Sequence, residues 1–337
     1  MQSVTKILTD AARRPALFLA LGLLAGILVY SGCSTPSASN GSGEDPALRV
    51  VATTNIIADW VDNVAGDRVE IQSLLPVGGD VHTYQPGAGD VAQIADADLI
   101  VTNGLELEGN WLEELIRNAS PDESRIVTLG DAVNPIPYAD DAHDDHEDEH
   151  EDEDEHDEHA HGAFDPHFWF DPNRVKLAVN VIAERLSALD PDGAATYRAN
   201  AEAYVTRLDE LHEWTEEQVS VIPADRRMLV TSHDSLGYFA ALYDFKIIGT
   251  VIPSGTTEVE PSAEHVSELT ELITEVGVPA VFGETTVTDR IARNITQETG
   301  AQLVSLYSGS LGPAGSGADT YIGMARSNVE SIVRALR

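Results

Sequence analysis

Two runs of alternating strand and helix patterns, separated by a long helical stretch, restrict this 337-residue chain more than any other feature. In the first run, Leu48 to Thr53, Val69 to Leu75, Asp98 to Thr102 and Arg125 to Leu129 read as short apolar strands. Between them lie helical patterns from Asn55, a candidate cap, to Gly66, then after Gly89-Asp90, and from Asn110 to Asn118. The second run repeats the scheme with strands at 227–231, 246–252, 280–283 and 302–307, and helices at 262–276, 289–299 and 320–336. Strands that are apolar throughout and alternate with helices predict parallel sheets covered on both faces. Between the runs, Val175, Val179, Ile182, Leu186 and Leu189 share one helix face. After the break Asp190-Pro191-Asp192-Gly193, a helix over 194–220 would span roughly 40 Å. The expectation is an α/β protein of two lobes, each a mostly parallel sheet flanked by helices, joined by a long interlobe helix, with a ligand site in the cleft beyond the strand ends. The boundaries read as a leader over 1–32, a linker over 33–47, a first lobe over 48–191, a linking helix over 192–222 and a second lobe over 223–337.

The amino terminus reads as an export signal. Lys6, Arg13 and Arg14 precede an apolar run from Ala16 to Tyr30, short for a membrane span. The run ends at Tyr30-Ser31-Gly32-Cys33 before the spacer STPSASNGSGEDP, a pattern that resembles a prokaryotic lipoprotein signal with Cys33 as the lipidated residue. The chain is then expected outside the cytoplasmic membrane, tethered to its outer face by lipid or periplasmic. Cys33 is the sole cysteine, which excludes an intramolecular disulfide. The net charge of −37 argues against nucleic acid as a partner.

Fourteen of the 57 acidic residues fall between Asp140 and Glu158, interleaved with His143, His146, His150 and His156 and followed by His159 and His161. Such a tract over 140–163 buries nothing, and reads either as a solvated charge run or as a set of weak, exchanging metal ligands. Directly after it, Phe164-Asp165-Pro166-His167-Phe168-Trp169-Phe170-Asp171-Pro172 packs aromatics around one histidine. His82, His167 and His233 each fall at a strand-to-loop exit, and Asp319 ends a glycine-rich loop. Imidazole and carboxylate suit a borderline cation such as zinc, but residues so far apart carry little information by spacing alone. His212 and His265 lie on helices beside acids and are read as ordinary surface histidines.

Five motifs in order decide between these readings: GGDVHTYQP around His82, DPHFWFDP around His167, TSHDSLGYFA around His233, FGETTVTDRIA around Glu284 and GADTYIGMARSNVESI around Asp319. From about Leu48 to Arg337 the chain resembles the metal-binding lipoproteins of zinc and manganese ABC importers. Val81 and Gln85 stand where members of that family often carry Pro and Glu. The resemblance implies one ion held by His82, His167, His233 and Asp319. It also implies Glu284 and Arg290 as a structural pair near the cleft, a membrane permease as partner, and no catalysis. Asp171 is a candidate either for orienting a ligand histidine or for capping the helix at Asn173. Three imidazoles favour Zn²⁺ over Mn²⁺, and manganese is the alternative. A surface zinc hydrolase is the competing class, but no HExxH and no nucleophile motif is present. A monomer is expected.

Overall fold

Eight strands form two sheets of four, each wholly parallel, in the computed structural model, which describes residues 47–138 and 163–337. The first sheet has the order β2 (Val69–Ser73), β1 (Leu48–Ala52), β3 (Leu99–Thr102), β4 (Ile126–Thr128). The second repeats that order with β6 (Lys246–Thr250), β5 (Met228–Thr231), β7 (Ala280–Glu284) and β8 (Gln302–Leu306). In each, the chain starts at an inner strand, steps outward, then crosses back to the other side. The point of reversal lies between β1 and β3 in one sheet and between β5 and β7 in the other, where a parallel sheet opens a crevice at its carboxyl edge. All four residues of β3 and all five of β7 are buried, which accounts for their continuous apolar reading.

The helices of the first half are α1 (Asn55–Ala65), α2 (Ala88–Asp96) and α3 (Gly109–Ala119). Those between the sheets are α4 (Pro172–Leu189) and α5 (Ala194–Val219). In the second half α6 (Gly237–Tyr243), α7 (Ala263–Val276), α8 (Arg290–Thr299) and α9 (Tyr321–Leu336) complete the set. The cap of α1 is Thr54, whose hydroxyl accepts the Ile57 N–H, and not Asn55. Asn55 is spent elsewhere: its amide donates to Ser310 Oγ and its carbonyl oxygen accepts the Leu311 N–H, binding the start of α1 to the last glycine-rich loop. Asp171 caps α4 by accepting the Asn173 N–H, with Pro172 in the first turn where its missing N–H costs nothing.

The 26-residue α5 lies along α4 and also touches α1 and α9, elements from the two ends of the chain. Tyr197, Ala201, Tyr204, Leu208 and Leu211 form its buried face. Where these helices meet, Trp60 of α1 stacks at 5.9 Å from Phe168 and edge-on at 5.6 Å from Tyr321 of α9. One continuous apolar core therefore runs from the first sheet to the second. Among the described residues no helix is long and apolar enough to cross a membrane. Cys33 and the histidines at 143, 146, 150, 156, 159 and 161 lie outside the described residues.

Candidate metal centre

Three loops bring His82, His167 and His233 together, so that one ring nitrogen from each lies within 4.8 Å of the others. His82 comes from the loop after β2. Its N–H donates to Asp80 Oδ1 at 3.1 Å, and the preceding carbonyl, on Val81, accepts the Trp111 indole N–H at 2.8 Å. Asp80 is held in turn by the Thr257 hydroxyl, a contact from the second half of the chain. His167 ends the Asp-Pro-His turn that leads into a single 3-10 turn, Phe168–Phe170. All three aromatic residues of that turn are buried, and the Trp169 indole donates to the Ser308 carbonyl at 2.8 Å. His233 follows β5, two residues past the strand's end.

Each of the two most buried imidazoles is held through Nδ1 by its own carboxylate. Asp165 Oδ1 lies 2.8 Å from His167 Nδ1 and also accepts the His167 N–H. Glu284 Oε1 lies 2.5 Å from His233 Nδ1, while Glu284 Oε2 accepts the Ser308 hydroxyl. A proton on each Nδ1 leaves both Nε2 atoms as bare lone pairs, and these face each other at 3.2 Å. Two lone pairs at that separation repel unless a cation or proton lies between them. For a tetrahedral ion with metal–nitrogen distances of about 2.0–2.1 Å, the two nitrogens would stand about 3.3 Å apart. The pair is thus spaced for a shared ion, and the carboxylate–histidine pairing is the usual support of a metal-bound imidazole.

The electrostatics divide the three rings. Burial, reinforced by charge on His233, holds His82 and His167 well below the ordinary imidazole range. Burial also pushes His233 down, but the charge and hydrogen bond of Glu284, with Asp80 and Asp234, outweigh it and raise His233. The two carboxylates part in the opposite sense. Burial pushes Asp165 up to about 7, against the hydrogen bond from the His167 N–H. Burial also pushes Glu284 upward, but the His233 charge and the bonds from His233 and Ser308 hold it below the ordinary carboxylate value. Before any ion binds, the buried charge is concentrated on the His233–Glu284 pair, while His82 and His167 stay neutral and ready to ligate.

Other expected residues fall elsewhere. Asp319 is not among the side chains whose ligand atoms lie within 4.8 Å of one another. It is exposed on the glycine-rich loop, where its Oδ2 accepts the Gly315 N–H at 2.8 Å. Glu284 does not pair with Arg290, the first residue of α8: its two oxygens are taken by His233 and Ser308. The reason is position, since Glu284 closes β7 beside the exit of β5 and so points at the residue that follows β5. Asp171 caps α4, and the acid that orients His167 is Asp165. Asp165 was legible as the acid two residues before His167 in Asp-Pro-His. Ser308 carries no comparable signal, because its role depends on the pairing of β7 with β8.

A cavity of about 760 Å³ opens beside this centre, reaching it at His82 and walled by Tyr84, Trp111, Tyr138, Glu106 and Glu258 among others. The chain matches the family model described as ZnuA, zinc-uptake complex component A, periplasmic, over residues 50–335. It is 33% identical over 311 residues to the manganese-binding lipoprotein MntA of Halalkalibacterium halodurans, covering 92% of this chain and 95% of the relative. It is 32% identical to the manganese ABC transporter substrate-binding lipoprotein PsaA of Streptococcus pneumoniae, over 94% of this chain and 97% of the relative. Among solved structures, the periplasmic zinc binding protein TroA from Treponema pallidum superposes with a TM-score of 0.74 at 30% identity, over 86% of this chain and 99% of that one. A manganese-bound periplasmic metal binding protein from Candidatus Liberibacter asiaticus gives 0.72 at 26% identity, over 86% of this chain and all of the other. With five ordered motifs, a repeated parallel sheet and a convergent trio of histidines, the chain belongs to the ZnuA family of metal ABC transporter substrate-binding lipoproteins.

Proposed function

We propose that this protein is the extracytoplasmic zinc receptor of an ABC importer, capturing Zn²⁺ with His82, His167 and His233 and passing it to a membrane permease. The observation that supports this reading is the facing pair of Nε2 atoms, 3.2 Å apart, each fixed by a carboxylate on the far side of its ring. An all-nitrogen donor set favours zinc, since manganese prefers oxygen-rich shells. Manganese is the second reading, because several of the most similar relatives carry manganese in their names. Those names describe the relatives; the donor set belongs to this chain.

Capture rather than catalysis fits the site. Hydrolysis at a zinc ion needs a base free to take a proton from bound water. Here the carboxylates of Asp165 and Glu284 are both committed to Nδ1 of a ligand ring. Lipid on Cys33 would hold the receptor beside its permease, and the histidines from His143 to His161 would collect zinc weakly near the cleft.

The test is calorimetric titration of the chain from Asp45 with Zn²⁺ and Mn²⁺, beside His233→Ala and Asp319→Asn. One tight zinc equivalent, preferred over manganese, abolished by His233→Ala and unchanged by Asp319→Asn, is the expected result. A tight manganese equivalent with weak zinc binding would move the assignment to manganese.

A further inference from the structure

We propose that Asn103, fixed by the buried carboxylate of Glu108, is a positioning residue for His167 and so sets how tightly the ion is held. The inference rests on the receptor reading above and assigns two residues that need not touch the ion.

The peptide that joins Pro166 to His167 is gripped on both edges. Its N–H donates to Asp165 Oδ1 at 2.8 Å. Its carbonyl, on Pro166, accepts from the Asn103 side-chain amide at 3.1 Å, in a buried bond across 63 positions of chain. A peptide held only at its N–H can pivot about that bond, and a second bond on the opposite edge removes the pivot. One residue earlier, the Asp165 carbonyl accepts the Tyr238 hydroxyl at 2.7 Å. Asp165 therefore aims the ring, while Asn103 fixes the backbone from which the ring projects. Ligand geometry has to be kept within about 0.5 Å, so the backbone grip bears on affinity.

Glu108 explains why Asn103 is held so firmly. Thr53 follows β1 and Asn103 follows β3, so Glu108 lies where the first sheet reverses its order. Its side chain is buried, and a buried carboxylate is costly unless its lone pairs are taken. Oε1 accepts the Thr53 hydroxyl and the Asn103 N–H, both at 2.7 Å, and Oε2 accepts the Gly104 N–H at 3.1 Å. These bonds close a turn in which Leu105 and Glu106 adopt positive φ, 55° and 63°, which non-glycine residues rarely do. Such a turn persists only where its surroundings over-determine it. A brace for the turn alone would need only the bonds to Glu108. The Asn103 amide, also bonded to the Gly104 carbonyl at 3.0 Å, reaches out of the turn to the His167 segment.

The test is a double-mutant cycle on the full chain, with the six histidines from His143 to His161 replaced by Gln so that the centre alone is titrated. Zinc affinity is measured by chelator competition for this parent, Asn103→Ala, His167→Ala and the two combined. Asn103→Ala should weaken zinc about tenfold in the parent. It should cost less than about twofold once His167 is gone, because no ring is left to place. Glu108→Gln keeps the shape but turns an amide N–H toward a donor, and should give the same pattern. Urea unfolding supplies the contrast: each variant should lower stability equally with and without His167. If Asn103→Ala does not fold, the Glu108→Gln cycle decides by the same criteria. The proposal is overturned if the loss of affinity is the same with and without His167, as for a general brace, or if neither variant alters affinity. Absence of a His233-dependent zinc equivalent in the parent would overturn the receptor reading, and this inference with it.

Discussion

His167 Nε2 and His233 Nε2 face each other at 3.2 Å, although the two residues are 66 positions apart and come from opposite halves of the chain. Neither ring is free to turn away, because Asp165 and Glu284 hold the opposite nitrogens. The centre is therefore prepared before the ion arrives, and its affinity should depend on the carboxylates as well as on the histidines. Asp165→Asn and Glu284→Gln keep size and remove charge, and each is expected to weaken zinc by about 10–100-fold, the usual effect of losing such a support. His167→Ala should cost more than either. Calorimetry against a competing chelator measures all three, and affinities within twofold of wild type for both amide variants would refute the role given to the carboxylates.

The same pairing sets the pH response of capture. Glu284 raises His233 above the ordinary imidazole value, while burial depresses His82 and His167. A protonated imidazole cannot ligate, so His233 is the ring that protons contest first as pH falls. Zinc affinity should begin to drop as pH falls through the neutral range, at a pH above the ordinary 6.5, by about tenfold per pH unit while one proton competes. Glu284→Gln removes the largest of the charges that raise His233 and leaves burial opposed only by Asp80 and Asp234, so the onset should move to lower pH even as the plateau affinity falls. Affinity measured from pH 8 to pH 5 that stayed flat, or an onset unmoved by Glu284→Gln, would contradict this.

Much of this architecture was legible in the chain. The apolar runs at 98–102 and 280–283 announced strands of a parallel sheet, which the structure places at inner positions with both faces covered, and the helical spacing of Tyr197, Ala201, Tyr204, Leu208 and Leu211 announced the buried face of α5. The three histidines were legible through motif order, not through spacing. What could not be read was which acid served which ring. Asp165, Asp171, Glu284 and Asp319 are all acids near candidate ligands, and their roles are fixed by a turn, a helix cap, a strand pairing and a loop bond respectively. Those are properties of register and three-dimensional approach, which local pattern does not carry.

Asp59 provides a pH test of stability away from the metal. It lies on α1 and accepts the Tyr321 N–H of α9 and the Tyr204 hydroxyl of α5, so one carboxylate ties three helices. Burial raises it from 3.8 to about 6, against those two hydrogen bonds. A carboxylate raised in the folded state costs stability while ionised, above about pH 6, and that cost is relieved as pH falls from 6 toward 4. Wild type should therefore gain on Asp59→Asn by roughly 2 kcal/mol between pH 7.5 and pH 4.5, the part of the full linkage that falls within this range. Urea unfolding of both proteins across that range gives the difference directly. A difference that does not change with pH would show that Asp59 titrates normally.

Asn55 joins the start of α1 to the last glycine-rich loop of the second half. Its amide donates to Ser310 Oγ at 3.0 Å and its oxygen accepts the Leu311 N–H at 2.8 Å, across more than 250 residues of chain. Ser310 also accepts the Gly78 N–H, in the loop that carries His82. Removing the amide leaves a buried N–H on Leu311 without its acceptor, so Asn55→Ala should destabilise by about 2–3 kcal/mol. Asn55→Asp is the sharper variant: it can still accept from Leu311 but cannot donate, and the Ser310 hydroxyl can rotate to donate instead. It should recover part of the loss at low pH, where burial of charge is relieved, and less at neutral pH. Because Gly78 and His82 share a loop, Asn55→Ala should also weaken zinc several-fold. Thermal unfolding and zinc titration of the two variants decide the matter, and a stable Asn55→Ala protein with unaltered zinc affinity would show that the bridge carries neither load.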